Sequence, residues 1–411
     1  MPLRSLVIDF NSYFASVEQQ ENPELRNKPV AVVPVMADTT SCIAASYEAK
    51  KFGVKTGVQV KEAKKMCPGL ILVQAKHKIY IEYHHKLVET VDSCLPVDKV
   101  MSIDEMLCSL KGREQDKETV IQIALNIKDT IAERVGECMR CSIGIAPNPF
   151  LAKTASDMQK PDGLIIIDNP DLPDCLYGLK INELVGIGRR MEPRLKAFGI
   201  DTVEKLCNAS KLMLKKVWGG IEGERMYEQL RGVTIQRPDT HRTTISHSNV
   251  LAPEFRSDSG AHSVLHRLIQ KASMRLRYLG YACGAISIKV KFMDGNKWQY
   301  DAAVSHTQDT LEFLRVFEEM WNTYPQNSGK PIFVSVYLFK LIPQEESTDS
   351  IFDDGKKNKS LNSAVDLLNK KFGYGSAYFA GSHIALNSAP MRIAFTQIPD
   401  LEAENDGIQE K

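Results

Sequence analysis

The sequence predicts an α+β protein of several domains, whose N-terminal part has a ferredoxin-like arrangement. A chain of 411 residues is too long for one hydrophobic core and suggests two to four domains. Residues 1–168 run in the order strand, helix, strand, strand, helix, strand, with residues 22–76 as an insertion small enough to form a lid. Short helices with basic loops follow, and residues 244–342 again contain strands.

The spacing of apolar residues defines the N-terminal elements. Leu3–Ile8 is predicted to be a buried strand, and Ser12–Gln20 a helix. Pro29–Val35 is a second strand, inside the insertion. Tyr80–Cys94 has the pattern of an amphipathic helix, and a later helix precedes the strand Cys141–Ile145. The apolar residues at helical spacing in that later helix are Val120, Ala124, Ile127, Ile131 and Val135.

Two adjacent carboxylates interrupt the apolar, strand-like run Val100–Leu107. An ionised pair such as Asp104 and Glu105 repels itself in a half-buried strand unless a cation neutralises it. A third carboxylate, Asp9, ends the first apolar strand. Three acids on two neighbouring strands can hold two hard cations, and magnesium is implied because every candidate ligand is an oxygen. The alternative is that Asp104 and Glu105 begin a turn and that Asp9 caps the following helix.

Composition excludes a membrane-spanning protein and leaves nucleic-acid binding open. The formal net charge is +1, so a nucleic-acid partner cannot be argued from overall charge. The nine cysteines are scattered, as expected of reduced thiols in the cytoplasm. The N-terminus has no basic-then-apolar signal, and no apolar run approaches the roughly 18 residues that span a bilayer.

A glycine-containing turn in the helical part could contact a phosphate backbone. Leu184–Gly188 followed by Arg189 is typical of a helix-hairpin-helix. In that motif Gly186 and Gly188 let backbone amides approach a phosphate, and the next helix adds its positive end. A plain helical turn is the alternative.

A row of lysines marks a second candidate surface for DNA. Lys289 and Lys291 alternate with apolar residues, which places them on one face of a strand. Such a row is often only solvated. Together with basic residues of the preceding helix it could also follow a phosphate backbone. Those basic residues are Arg267, Lys271, Arg275 and Arg277.

Five ordered segments of the chain carry a family resemblance. They are Ile8-Asp9-Phe10 with Tyr13–Glu18, Ala45–Lys55, Ser102–Glu105, Ser142–Ala146 with Leu151-Ala152-Lys153, and Ala155–Gly163. With these segments in this order and at this spacing, the chain resembles a Y-family translesion DNA polymerase, of the bacterial polymerase IV-like or UmuC-like kind. The resemblance covers roughly residues 3 to 395.

The resemblance implies a site with two magnesium ions. Asp9 and Asp104 would bridge both ions, and Glu105 would bind the catalytic one. The carbonyl of Phe10 would complete the coordination of the nucleotide-bound ion.

The resemblance also implies contacts to the triphosphate of a nucleotide, from Tyr47, Lys50 and Lys160. Lys50 stands where the family commonly has arginine, which keeps the charge but loses the bidentate fork. Ala44 replaces a frequent threonine. The structural alternatives are a core position for Tyr47 and a solvated turn for Lys160.

Phe14 would be the steric gate that excludes ribose. Adjacent Tyr13 is the competing candidate, because an error of one residue in placing the helix would exchange the two rings. An ordinary core position is the structural alternative for Phe14.

By the same resemblance the chain divides as a right hand. The expected domains are a palm at 1–21 and 77–168, fingers at 22–76, a helix-hairpin-helix thumb at 169–235, a linker at 236–243, an α/β little finger at 244–342, and a C-terminal connector, helix and tail at 343–411. The tail from Asp400 has a composition typical of disorder.

The function implied is template-directed, error-prone DNA synthesis in damage tolerance, on primer–template DNA with deoxyribonucleoside triphosphates. No stretch resembles a nuclease site, so proofreading is not expected. The alternatives are a non-catalytic DNA-binding accessory protein of the same fold and, less favoured, a palm-domain nucleotide cyclase. Ile351 and Phe352 lie where family members often carry a short apolar peptide for the sliding clamp, and a linker contact is the alternative there.

Overall fold

The computed structural model describes residues 2–236, 241–326, 328–347, 355–373, 375–389, 393 and 398–399. Three sheets and one helical region organise these residues. The expected clamp peptide at Ile351-Phe352, half of the expected linker at 236–243 and the expected disordered tail at 400–411 lie outside them.

The N-terminal part of the chain forms a five-stranded and a three-stranded sheet. Its elements are β1 (Ser5–Phe10), α1 (Tyr13–Glu21), β2 (Val30–Val33), β3 (Ala44–Ala45), α2 (Tyr47–Lys50), α3 (Val60–Met66), β4 (Ile71–Gln74), α4 (His77–Asp92), β5 (Lys99–Ser102), β6 (Glu105–Ser109), α5 (Lys117–Arg134), β7 (Cys141–Ala146), α6 (Pro149–Met158) and β8 (Leu164–Ile166). The larger sheet has the order β5-β6-β1-β7-β8, with only the last pair parallel. Without β8 this is the predicted ferredoxin-like arrangement.

The central strand β1 is buried on both of its faces. Leu6 and Ile8 pack with Leu87 of α4 and Ile127 of α5 on one side. Val7 packs on the other side, in the cluster that contains α6. A strand covered on both faces is apolar without strict alternation, which explains its sequence pattern.

The sequence suggested that the acidic run Val100–Leu107 is one strand, and this is wrong. It folds as a tight hairpin of β5 and β6, with Ile103 and Asp104 in the turn. Glu105 is the first residue of β6 and lies opposite Asp9 in β1. The hairpin removes one of the two adjacent carboxylates from the strand itself, which lowers the cost of placing both there.

The insertion forms a small unit with its own core. Its sheet has the order β3-β2-β4, in which β2 and β4 are parallel. Val33, Val54 and Val60 belong to a cluster that is separate from that of the larger sheet. A salt bridge of 2.6 Å between Arg26 and Glu137 joins the insertion to the larger unit.

A helical region follows the larger sheet. It contains α7 (Met191–Ala197), α8 (Val203–Asn208), α9 (Lys211–Trp218) and α10 (Ile221–Gln229). Their buried residues, such as Leu195 and Leu214, share one cluster with Val7 and Leu151. The helical region therefore packs on the face of the larger sheet that α6 covers.

The remaining part of the chain is built on a four-stranded antiparallel sheet. Its elements are β9 (Thr244–Val250), α11 (Asp258–Tyr278), β10 (Tyr281–Phe292), β11 (Lys297–Thr307), α12 (Thr310–Trp321), β12 (Pro331–Pro343) and α13 (Gly355–Phe372). The strand order is β11-β10-β12-β9. Ile286, Ile288 and Val290 face a core shared with α11 and α12, so Lys289 and Lys291 lie on the opposite, open face, as the alternation predicted.

Three of the four basic residues of α11 do not join this open face. Arg267 and Lys271 are buried, and the Lys271 ammonium donates to the carbonyl of Ala389 at 2.8 Å. Arg277 forms an ion pair with Asp366 of α13 at 2.6 Å. The expectation that these three residues follow a phosphate backbone with Lys289 is wrong, because the C-terminal segment covers them.

Substitution of Gly144 in β7 tests how closely the larger sheet packs against α6. A Cβ atom there would lie 2.0 Å from the carbonyl oxygen of Ala152 and 2.3 Å from the amide nitrogen of Ser156. Backbone atoms cannot move away cheaply, so Gly144→Ala should lower the free energy of unfolding by about 1–3 kcal/mol. Urea unfolding followed by circular dichroism measures this. Gly69→Ala, where no atom lies within 4 Å of the new Cβ, is the matched control, and equal midpoints for the two variants would contradict the packing.

Candidate active site

A cavity of about 300 Å³ lies between the five-stranded sheet and the insertion. It brings together every residue that the sequence assigned to metal or nucleotide binding. Those residues are Asp9, Phe10, Phe14, Tyr47, Lys50, Asp104, Glu105 and Lys160. Lys153, to which the sequence gave no role, also lines it.

Strand pairing places the three carboxylates at one end of the sheet. Asp9 lies next to the last residue of β1 and is 5% exposed. It faces Glu105 across the antiparallel pair of β1 and β6. The amide of Phe10 donates to the carbonyl of Asp104 at 2.9 Å, which holds the hairpin turn against the end of β1.

Lys153 of α6 neutralises part of this negative charge. Its ammonium contacts a carboxylate oxygen of Asp9 at short distance, and lies 3.0 Å from both Glu105 Oε1 and Asp157 Oδ1. Burial would by itself lower the pKa of Lys153, but the three carboxylates outweigh it and raise that pKa above its usual value. Lys153 is therefore a cation fixed within the acidic cluster. In the sequence, its i, i+4 spacing with Asp157 and its place in the segment Leu151-Ala152-Lys153 were signals, but neither gave it a role.

Lys160 neutralises the second oxygen of Asp9. Its ammonium lies 2.7 Å from Asp9 Oδ1 and 2.8 Å from Asp157 Oδ1. Asp9 therefore has an ammonium group on each oxygen. Such charge-assisted contacts offset the cost of burying the carboxylate.

Asp104 is less well compensated than Asp9. The hydroxyl of Ser102 donates to Asp104 Oδ1 at 2.7 Å. Burial, together with the charges of Asp9 and Glu105, nevertheless raises the pKa of Asp104 to about 6 against the opposing effects of Ser102 and Lys153. This carboxylate gains most from the arrival of another cation.

The donor set fits a hard divalent cation, although not in its present arrangement. The carboxylates of Asp9, Asp104 and Glu105 and the nearby carbonyl of Phe10 offer only oxygen, and the Lys153 ammonium already acts as a cation between Asp9 and Glu105. Across the described part of the chain, no three carboxylate, imidazole or thiol groups converge closely enough to hold an ion as they stand. An ion would have to displace the ammonium groups from the carboxylates.

Tyr47 and Lys50 form the wall of the pocket opposite the carboxylates. Lys50 donates to the hydroxyl of Ser12 at 2.7 Å, and its ammonium lies 4.2 Å from the centre of the Tyr47 ring. Burial and the nearby charge of Lys160 lower the pKa of Lys50, while Asp9 opposes them. An anionic ligand would relieve the repulsion between the two lysines.

The rings of Phe14 and Tyr13 both reach the pocket. Phe14 is mostly buried and stacks on Tyr80, with ring centroids 4.5 Å apart and planes 15° apart. The Tyr13 hydroxyl donates to the carbonyl of Tyr80 at 2.6 Å. Phe14 thus has both a core contact and a pocket contact, and its role as the gate stays a prediction.

The five residues assigned to DNA contact lie outside this pocket. Gly186, Gly188 and Arg189 are in an exposed turn, and Gly186 has a φ of +84°, which side chains rarely adopt. Lys289 and Lys291 lie on the open face of the four-stranded sheet, where the Lys291 ammonium is 4.9 Å from the Phe333 ring centre. The structure thus places these residues on surfaces, and their contact with DNA stays a prediction.

Comparison with known proteins decides the family. Residues 8–157 match the impB/mucB/samB family, and residues 242–351 match the C-terminal domain of that family. Residues 182–233 match a domain described as the DNA polymerase-iota thumb domain. The chain is 30% identical to DNA polymerase IV of Moorella thermoacetica, over 90% of this chain and 93% of that protein. The chain belongs to the Y family of DNA polymerases.

Further relatives agree with this assignment. This Y-family polymerase is 28% identical to DNA polymerase IV 1 of Bacillus subtilis, over 91% of this chain and 92% of that protein. A solved Y-family DNA polymerase chimera shares the fold with a TM-score of 0.67 and 23% identity, covering 83% of this chain and 99% of that one. The insertion ternary complex of Dbh DNA polymerase has a TM-score of 0.54 and 25% identity over the same shares. The predicted right-hand fold is confirmed.

Family membership also settles the class of activity. This Y-family polymerase is a DNA-directed DNA polymerase of translesion synthesis, which depends on a divalent metal and binds DNA and nucleotides. The comparisons give no support to a non-catalytic accessory protein. None of the helices in the described ranges is long and apolar enough to cross a membrane.

The raised pKa of Asp104 predicts a pH-dependent stability of the metal-free polymerase. Because burial raises this pKa to about 6, the folded state binds the proton more tightly than the unfolded state, whose aspartate pKa is about 4. Asp104 should therefore favour folding below pH 4, and this contribution should be lost as the pH rises through 6, by about 2–3 kcal/mol. Urea unfolding in EDTA at several pH values measures it.

Asp104→Asn removes the titrating group and should make the metal-free protein more stable at pH 7.5 by about the same 2–3 kcal/mol. Asp129→Asn, an equal change of charge at an exposed position of α5, is the control and should leave the stability nearly unchanged. Identical pH profiles of stability for wild type and Asp104→Asn would show that Asp104 makes no such pH-dependent contribution.

Proposed function

We propose that this polymerase transfers nucleotides to a primer 3′-hydroxyl at the pocket described above, with two magnesium ions held by Asp9, Asp104 and Glu105. The observation that carries the proposal is the burial of Asp9 beside Asp104 and Glu105, with lysine ammonium groups neutralising part of the cluster. Burying each carboxylate costs free energy, so three of them at one strand end would be unfavourable if they served only the fold.

The carboxylates of Asp9, Asp104 and Glu105 would hold the ions, and the Phe10 carbonyl would add a further oxygen ligand. The chemistry supplied by the bound ions is a lowered pKa of the primer 3′-hydroxyl and neutralisation of charge on the triphosphate.

The lysines of the pocket change partners when substrate binds. Lys160 now holds Asp9 at 2.7 Å, and its ammonium would pass to a phosphate oxygen once the carboxylate is neutralised by another cation. Lys50 and Tyr47 would hold the same triphosphate from the opposite wall. Lys153 would keep its contact with Asp157, which anchors its ammonium on α6 at 3.0 Å when Asp9 is released.

We also propose that the chain divides into the domains of a right hand. The palm would comprise 1–21 and 77–168, the fingers 22–76, the thumb 169–235 and the little finger 244–342. In this division the pocket lies between palm and fingers. A cytoplasmic location and a clamp contact through Ile351 and Phe352 rest on the sequence alone.

Primer extension tests the assignment of the carboxylates. Asp9→Asn, Asp104→Asn and Glu105→Gln should each lower the rate of extension by about 10²–10³-fold, because each removes charge stabilisation that the transition state needs. Asp157→Asn is the matched control, since Asp157 contacts the same two lysines but is not a proposed ligand. Asp157→Asn should lower the rate of extension much less. Wild-type rates in Asp104→Asn, with the fold verified by circular dichroism, would contradict the assignment.

We also propose that Lys289, Lys291 and the exposed turn at Arg189 contact DNA phosphates. Lys289→Ala with Lys291→Ala should reduce the slope of log affinity against log salt by up to about 1.8, since each phosphate contact contributes about 0.9. Lys370→Ala with Lys371→Ala makes the same change of charge on α13, away from the open sheet face, and should leave the slope unaltered. Equal slopes for both double variants would mean that the lysines of the open face are only solvated.

A further inference from the structure

A buried chain of polar contacts lies directly behind the Phe14 ring. Tyr80 of α4 is fully buried, stacks on Phe14 and does not line the pocket. Its hydroxyl donates to Glu18 Oε1 at 2.7 Å. The other carboxylate oxygen of Glu18 forms an ion pair with the Lys76 ammonium at 2.9 Å. The chain therefore runs from Phe14 through Tyr80 and Glu18 to the start of α4.

Glu18 is an unusual residue for this position. It lies one helical turn after Phe14 on α1 and is only 2% exposed. A buried carboxylate is costly unless its oxygens are hydrogen-bonded and its charge is paired. Tyr80 and Lys76 meet both conditions, one at each oxygen. An apolar residue would fill the space at less cost, so the carboxylate has a use beyond packing.

We infer that the Glu18 carboxylate fixes the orientation of the Tyr80 ring. The backbone of Tyr80 accepts a hydrogen bond from the Tyr13 hydroxyl at 2.6 Å, and its own hydroxyl is held by Glu18. Glu18 thus holds the hydroxyl end of the ring, and Tyr13 bonds the backbone that carries the ring. Because Phe14 lies nearly parallel to it, with planes 15° apart, the fixed ring sets the angle at which Phe14 meets the pocket.

We propose that Glu18 and Tyr80 are positioning residues for sugar selection, which hold the Phe14 ring where it excludes a 2′-hydroxyl. This inference rests on the proposed role of Phe14 as the steric gate. Neither residue touches the nucleotide pocket, so both act through Phe14. When the support is lost, the Phe14 ring can tilt and a ribose is admitted more easily.

The same two helices contain a matched control. One turn further along, the Tyr83 hydroxyl donates to Glu21 Oε1 at 2.6 Å. This pair joins α1 to α4 in the same way, but Tyr83 makes no ring contact with Phe14 among the described aromatic pairs. Tyr83→Phe removes one hydroxyl from the same interface without disturbing the stack behind the gate.

Single-nucleotide insertion opposite template G tests the inference, with kcat and KM measured separately for dCTP and CTP. Tyr80→Phe keeps the ring but loses the bond to Glu18, and should lower the preference for dCTP by about threefold to tenfold, the effect of one lost hydrogen bond. Tyr83→Phe should leave the preference unchanged. Glu18→Gln keeps an acceptor for the Tyr80 hydroxyl and should retain most of the preference, whereas Glu18→Ala should behave as Tyr80→Phe.

A double-mutant cycle with Phe14→Ala separates positioning from general stability. Phe14→Ala alone should relax sugar selection more strongly than Tyr80→Phe, and adding Tyr80→Phe should cause no further change. If Phe14→Ala relaxes selection while Tyr80→Phe matches Tyr83→Phe, the positioning role is overturned and the gate stands. If Phe14→Ala leaves selection unchanged while dCTP insertion continues, both the gate and its support are overturned, and the polymerase assignment is untouched.

Discussion

Repulsion among three carboxylates at one end of a strand pair is the constraint on which the site depends. Pairing of β1 with β6 puts Asp9 opposite Glu105, and the hairpin turn adds Asp104 beside them. Charges this close in a partly buried pocket repel strongly unless cations lie between them. Lys153 and Lys160 supply those cations to the chain as it stands. The elements that deliver them, α6 and the segment after it, therefore belong to the site as much as the strands do.

The same electrostatics connect the metal site to the nucleotide site. Lys160 contacts Asp9 in the structure and is also expected to bind the triphosphate. Burial lowers the pKa of Lys50, and the nearby charge of Lys160 lowers it further. A polyanionic substrate with its cations would resolve both conflicts together, since it would give the carboxylates new cations and the lysines new anions. Binding of metal and nucleotide should therefore be mutually favourable.

Local pattern was enough to predict most of the fold and the carboxylates, and it failed where distant parts of the chain meet. The buried strand β1 was recognised because burial on both faces leaves an apolar run. The run from Val100 was read as one strand because a tight hairpin has the same apolar content. Arg277 was expected at DNA because nothing in α11 shows that Asp366, far along the chain, pairs with it. Lys153 and Glu18 lie in segments that resemble the family, but their individual roles are visible only from their three-dimensional contacts.

We propose that the carboxylates exchange lysine ammonium groups for two divalent ions when the polymerase binds its substrates. The most direct test is an anomalous-scattering map of crystals grown with Mn²⁺, primer–template DNA and a non-hydrolysable deoxynucleotide. The account predicts two peaks, both bound by Asp9 and Asp104 and one also by Glu105, with Lys160 moved from Asp9 to a phosphate. A single peak, or Lys153 and Lys160 still in contact with both oxygens of Asp9, would contradict it.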